Sequence, residues 1–336
     1  MKRMKTVIAT GLVAVILTIL AGIGSASAQD GTAASTPVSG GSGIDGAVAW
    51  LQSQQAEDGG FVGFSGESDP GATIDAVIAL VSAEHAGVDT GNSIEQALAY
   101  LGSDDVALVY AQTGVGQAAK LVLGLTAVGE DPADFAGVDA MPLVENGVNA
   151  ETGLYGVGIY DHALAILAFA ATGIEVPASA IDALAATQAE NGGWAFDAST
   201  DPSMADSNTT SLAVQALVAA DQGESELVAT GLAYLESTWL EGGAAYSGLP
   251  DTVADANSTA LVIQALVATG SDVTEHVAVL ATFQNPSGAY FYNATDTSDN
   301  LFATLQAIPA LASVALPVSP AMSDATPAAT NDLVAA

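Results

Sequence analysis

Apolar and polar positions along this chain fall into blocks and lack the two-residue rhythm of strands. Thr210–Ala220, Thr259–Thr269 and His162–Thr172 are runs of Ala, Leu, Val and Ile with almost no charge. A helix that is apolar nearly all round is one covered on most sides, so these segments predict interior helices. Ala47–Gln55, Ile181–Gln188 and His276–Gln284 differ: their apolar residues recur three and four apart and a glutamine closes each segment. That pattern predicts helices with one buried face. Gly, Asp, Asn, Ser and Pro fill the joints and supply turns and helix caps.

The blocks are copies of one another. Ala205–Ala219 reads ADSNTTSLAVQALVA and Ala254–Ala268 reads ADANSTALVIQALVA, identical at ten of fifteen positions. A period of about 40 to 50 residues means stacked units that share a core. A glycine turn running into an aromatic marks five copies: Gly59-Gly60-Phe61, Gly153-Leu154-Tyr155, Gly192-Gly193-Trp194, Gly242-Gly243 before Tyr246, and Gly288-Ala289-Tyr290. The interval between Gly60 and Gly153 is twice the period, and Gln112–Gly129 supplies a degenerate copy within it. Six helix pairs, the all-round apolar helices inside, describe an all-α barrel with an inner and an outer ring over residues 44–316.

The two ends read differently. Lys2, Arg3 and Lys5 precede the apolar run Val7–Ile23, which Ala26-Ser27-Ala28 follows. This is the pattern of a secretory signal peptide over residues 1–28, with cleavage before Gln29 and a secreted protein as the expected product. The competing reading is an uncleaved N-terminal anchor. Residues 29–43 read as a flexible linker and 317–336 as a disordered tail, from their Pro, Ser, Thr, Ala and Gly content. The chain has no cysteine, so neither disulfides nor thiolate metal ligands contribute.

Charge narrows function further. Three of the four basic residues belong to the leader, which leaves Lys120 against 38 acids. A mature chain with a single lysine and no arginine cannot neutralise a row of phosphates, which excludes nucleic acid and anionic membrane surfaces as partners and disfavours diphosphates. A neutral or cationic small molecule, or a protein, remains.

Gln188-Ala-Glu-Asn-Gly-Gly-Trp194 and Gln55-Ala-Glu-Asp-Gly-Gly-Phe61 resemble the QW-type repeats of the squalene cyclase and protein prenyltransferase superfamily. The resemblance implies an α/α toroid. The catalytic patterns of that superfamily are incomplete here. The cyclase acid motif resembles Asp206-Ser-Asn-Thr-Thr210 and Asp255-Ala-Asn-Ser-Thr259, but Asn208 and Asn257 stand where the proton donor would be. The prenyltransferase zinc set needs a cysteine, and the Gly-Cys-Gly-Glu-Gln run of toroidal thioester domains is missing. Ser258–Leu266 is also similar to segments in the helical domain of transcobalamin and intrinsic factor, which implies cobalamin as a ligand if a separate partner completes the site.

Aligning the repeats places Asp69/Thr73, Asp206/Thr210 and Asp255/Thr259 at one mouth of the barrel, with Tyr160, Asp161 and His162 in the third unit. The candidate ligand-binding residues are therefore Asp69, Thr73, Tyr160, His162, Asp206, Asn208, Thr210, Asp255, Asn257 and Thr259. The bland reading is that Asp, Asn, Ser and Thr cap helix N-termini, worth about 0.5–2 kcal/mol each. Asp161, His162, Asp206 and Asp255 are the candidates for general acid or base. Asp197, Asp201, Asp296 and Asp299 lie in loops whose oxygen ligands suit Ca²⁺ but lack EF-hand spacing. The aromatics at and after the turns, among them Phe61, Phe64, Trp194 and Phe196, are expected to brace neighbouring repeats. Function then reads as a secreted, non-catalytic binding module on a cyclase-type scaffold, with a terpenoid-cyclase-like enzyme acting on an uncharged substrate as the alternative.

Overall fold

The computed structural model describes residues 41–321; the leader, most of the linker and residues 322–336 lie outside the described residues. Six helix pairs follow in order. They are α1 (Ile44–Ser53) with α2 (Pro70–His85); α3 (Ser93–Leu101), a short α4 (Val106–Ala111) and α5 (Val115–Val128); α6 (Met141–Glu145) with α7 (Ile159–Ala171); α8 (Ala178–Ala186) with α9 (Ser207–Ala219); α10 (Glu226–Ser237) with α11 (Ala256–Ala268); and α12 (Thr274–Leu280), extended by one 3₁₀ turn, with α13 (Leu301–Leu311). Among the described residues, strand is confined to two antiparallel two-residue hairpins, Phe61–Val62 with Ser68–Asp69 and Trp239–Leu240 with Gly243–Ala244.

The second helix of each pair forms the inner ring. α2 packs on α5, α5 on α7, α7 on α9, α9 on α11, α11 on α13, and α13 returns to α2, so the ring closes. Inner helices touch neighbours on both flanks and an outer helix behind. Nearly every residue of α9, from Ser207 to Leu217, is accordingly buried. Outer helices bury one stripe: α10 buries Val228, Gly231, Tyr234 and Leu235. The degenerate copy is a full unit, with α4 in place of the glycine–aromatic turn.

The turn chemistry explains the repeat. Gln55, Gln188 and Gln284 each lie just past the end of an outer helix, and each Nε2 donates to the carbonyl of Gly59, Gly192 or Gly288 at 2.8, 2.8 and 2.9 Å. The same Nε2 groups also reach forward to the first turn of the next outer helix or its cap, at Ser93 O, Leu227 O and Gly43 O (2.9, 3.0 and 2.8 Å). The third contact joins the last unit to the first, and Gly43 N–H donates back to Gln284 Oε1 at 2.7 Å. Gly288 shows why the turn needs glycine: its φ is 96°, and a Cβ there would lie 2.2 Å from the Gly46 carbonyl oxygen.

The sequence-based starts of the inner helices fall three residues late, because polar first turns such as Ser207-Asn208-Thr209 read as loop while they are capped helix. The C-terminal boundary shifts too. Leu316 N–H donates to Gln215 Oε1 (2.9 Å), Val318 is buried, and His85 Nε2 lies 2.7 Å from Ser319 O. Residues 317–321 are therefore docked on the barrel and are not part of a free tail. No helix among the described residues is long and apolar enough to cross a membrane.

Candidate functional site

The inner helices begin at one end of the toroid, and the first turns of four of the six, α2, α9, α11 and α13, share a single design, whereas α5 and α7 start at Gly114 and Gly158 without a side-chain cap. Asp69, Asp206, Asp255 and Asn300 are N-caps whose Oδ1 accepts from Ala72, Thr209, Ser258 and Ala303 N–H at 2.8, 2.7, 2.8 and 2.9 Å. Four residues on, Thr73, Thr210, Thr259 and Thr304 accept from the backbone N–H of Phe61, Trp194, Ala244 and Tyr290 at 2.9, 2.9, 3.0 and 2.8 Å. Each hydroxyl donates in turn to the carbonyl of its own N-cap residue. The threonines are fully buried and pin the aromatic turn to the inner helix. Thr73, Thr210 and Thr259 thus occupy the aligned positions expected of them and face the protein interior, away from any open mouth.

His162 replaces threonine in the third unit and does the same work. It is buried, Nδ1 accepts from Tyr155 N–H (2.9 Å), and Nε2 donates to Ala180 O (2.9 Å). Both ring nitrogens are engaged only in the neutral Nε2–H tautomer, and burial lowers its pKa further. Neither nitrogen is available as a general base. Asp161 is part-exposed, its carboxyl pushed up by burial while Oδ2 accepts from Val157 N–H (3.1 Å).

Asp206 and Asp255 depart from ordinary capping. Both are buried, and burial pushes each carboxyl up to about 6 despite the bonds from the first turn. Asp255 Oδ2 accepts from Ser258 Oγ at 2.9 Å, whereas Asp206 Oδ2 is buried without a partner. Its polar neighbour is the Tyr246 phenol, itself raised first by burial and then by the Asp206 charge. Asn208 and Asn257 are half-buried one residue inside the helices.

Sequence reasoning missed the centre of the barrel. Lys120 Nζ donates to Asp75 Oδ2 at 2.6 Å, joining the neighbouring inner helices α5 and α2 on the axial side with both side chains partly exposed. Burial opposes the ammonium, but the charge of Asp75, together with Tyr110 and Tyr160, outweighs it and holds the Lys120 pKa above the usual lysine value. This pair lines a cavity of about 60 Å³ with Tyr160, Gln264, Gln306 and leucines from the inner helices, and Leu316 joins the lining. That volume suits a few water molecules. The available signal was Lys120 itself, a solitary cation in an apolar inner helix.

The calcium candidates do not converge. Oδ1 of Asp197, Asp201 and Asp296 accepts from Ser199, Ser203 and Ser298 N–H, and Asp299 Oδ1 accepts from Asn285 Nδ2 and Ser287 Oγ. Each carboxylate organises its own loop, and no three metal-ligating side chains gather among the described residues. The aromatics divide. Phe61, Trp194 and Tyr290 are fully buried, with Trp194 Nε1 donating to Leu184 O at 2.8 Å. Phe64 is 93% exposed, stacked on Phe302 at 4.2 Å across the ring closure, and Phe196 is 44% exposed.

No family model matches the chain, and neither does any curated protein at the level of sequence. Solved structures do match. The type II terpene cyclase MstE from Scytonema superposes with a TM-score of 0.57 at 16% identity, over 80% of this chain and 96% of the cyclase. The fold is an α/α toroid. The α-1,6-mannanase GH76A of Salegentibacter sp. HEL1_6 (TM-score 0.60, 11% identity, 80% and 98% covered) and cellobiose 2-epimerase from Bacillus thermoamylovorans B4167 (0.56, 12%, 79% and 95%) share the toroid. At these identities the likeness is one of fold alone. The chemistry of the toroid must then be read from its own residues: caps with one oxygen committed to a helix, a neutral histidine with both nitrogens used, and an axial carboxylate tied to the lone described lysine.

Proposed function

We propose that the protein is an exported, non-catalytic binding module that uses the inner-helix N-terminal end of the toroid to hold a neutral or cationic partner. The axial cavity carries this reading. At about 60 Å³ it is far below the ~300–1,000 Å³ of ligand pockets, and its carboxylate, Asp75, is held by Lys120. MstE is a cyclase seen with geranylgeranyl dihydroxybenzoate bound; a molecule of that size does not fit the axis here. A partner therefore engages the end of the barrel, where acids outnumber cations and diphosphates are repelled.

One observation favours a cyclase-like enzyme as second reading: Asp206, with a carboxyl pushed up to about 6 and one oxygen unpartnered, resembles a poised acid. Calorimetry at low ionic strength with geranylgeraniol, geranylgeranyl diphosphate, cobalamin and Ca²⁺, alongside product analysis of a polyprene incubation, separates the readings. The proposal expects no turnover and no metal-free diphosphate binding. Turnover of a neutral polyprene that Asp206→Asn abolishes would replace it with the enzyme.

A further inference from the structure

The exposed large apolar side chains of the described residues are distributed unevenly. Apart from Ile174, all of them lie in connections that lead from an outer helix to an inner one, and so at the inner-helix N-terminal end. Phe64 (93% exposed), Val157 (87%), Phe196, Met204, Leu249 and Val253 are the main ones. Ordinary solvent exposure would scatter such residues over both ends, so their segregation marks an interaction surface. Between the loops of the fourth and fifth units runs a groove of about 330 Å³, with Tyr234 and Ala205 at its base and Pro202 and Leu249 on its walls. Asp197, Asp201 and Asp251 are exposed in the same two loops, and neither loop contains a Lys or Arg. Lys120, the one Lys or Arg among the described residues, is spent on Asp75 in the axis.

We propose that this end, centred on the groove between the 195–205 and 246–254 loops, docks a basic polypeptide segment that places an apolar side chain in the groove and its cations against Asp201 and Asp251. The proposal rests on the binding reading above and names the partner class. Apolar residues spread around a ring of loops suit an extended macromolecular partner better than a small ligand, which needs a concave pocket burying most of its surface. Acids without counter-charges select a cationic partner and speed its approach. A second copy of the chain would present the same acidic surface and be repelled.

The test uses the mature chain and a fluorescein-labelled 16-residue peptide of Lys alternating with Leu and Phe, followed by anisotropy and amide hydrogen exchange. Binding at 50 mM salt is expected, weakened at least tenfold at 500 mM. Leu249→Ser and Pro202→Ser, both on the groove walls, should each weaken it about tenfold, Ile174→Ser at the opposite end should not, and protection should appear in both loops. These side chains are exposed, so the variants fold; unchanged melting curves verify it. A peptide with Glu for Lys should not bind, and one with Ser for Leu and Phe should bind at least tenfold more weakly. Absent binding, wild-type affinity in Leu249→Ser and Pro202→Ser, or protection elsewhere overturns the proposal. If mannotetraose or a neutral isoprenoid alcohol protects these loops and the peptide does not, the partner class fails while the binding reading stands. Polyprene turnover would sink the underlying reading instead.

Discussion

Asp206 sets burial against helix capping, and the sign of its pH dependence tells which prevails. An exposed N-cap aspartate is favoured as the anion by the helix dipole and by the N–H groups it accepts from. Asp206 does cap α9, but it is buried, Oδ2 has no partner, and its pKa is pushed up from 3.8 to about 6. A carboxyl whose folded pKa exceeds its unfolded value binds protons more tightly in the native state. Its contribution to stability is fully present below about pH 4 and is lost as pH rises through 6. The difference is worth about 3 kcal/mol. Asn keeps the cap, the shape and the Oδ1 acceptor but cannot titrate, so the stability gap between wild type and Asp206→Asn isolates this one group. Urea denaturation at intervals from pH 4 to pH 8 is the assay. Wild type should lose ground to Asp206→Asn by about 3 kcal/mol over that range, most of it before pH 7. A constant gap, or one in which wild type gains with pH as an exposed cap would, refutes the argument that burial dominates.

Gln284→Ala removes three hydrogen bonds at the ring closure and should cost about 1.5–3 kcal/mol, read as a lower urea midpoint; protection lost around α1 and α13 would place the opening at the seam. Lys120→Met leaves Asp75 beside the cavity without its cation and should cost about 2–3 kcal/mol, discounted for partial exposure. Lys120→Met with Asp75→Leu should recover most of that; equal loss in the double variant would contradict the pairing argument. His162→Phe removes the acceptor for Tyr155 N–H and the donor to Ala180 O and should lower stability by about 3 kcal/mol. His162→Thr, the residue at this place in four other units, should do less damage.

The six-unit ring was legible in the sequence because a unit that cannot cover its own apolar face must repeat, and the repeats of Ala205–Ala219 and Ala254–Ala268 write that requirement twice in nearly the same letters. The glutamine, the double glycine and the aromatic were legible for a similar reason: each serves a local turn, and local geometry demands particular residue types wherever it recurs. Asp69, Asp206 and Asp255 could be placed at equivalent helix starts by register alone. Their environments could not, since exposure depends on what the neighbouring unit lays over the helix end. Tertiary packing buries Asp206 beside Tyr246 and commits Thr210 and His162 to the backbone. It also brings Lys120 and Asp75, 45 residues apart, to 2.6 Å between neighbouring inner helices at the axis. Seam contacts such as Gln284 with Gly43, 241 residues apart, exist only once the ring has closed. Sequence periodicity reports what every unit must do for itself; the contents of the axis, the closing seam and the exposed apolar rim arise from all six units together, and no single unit encodes them.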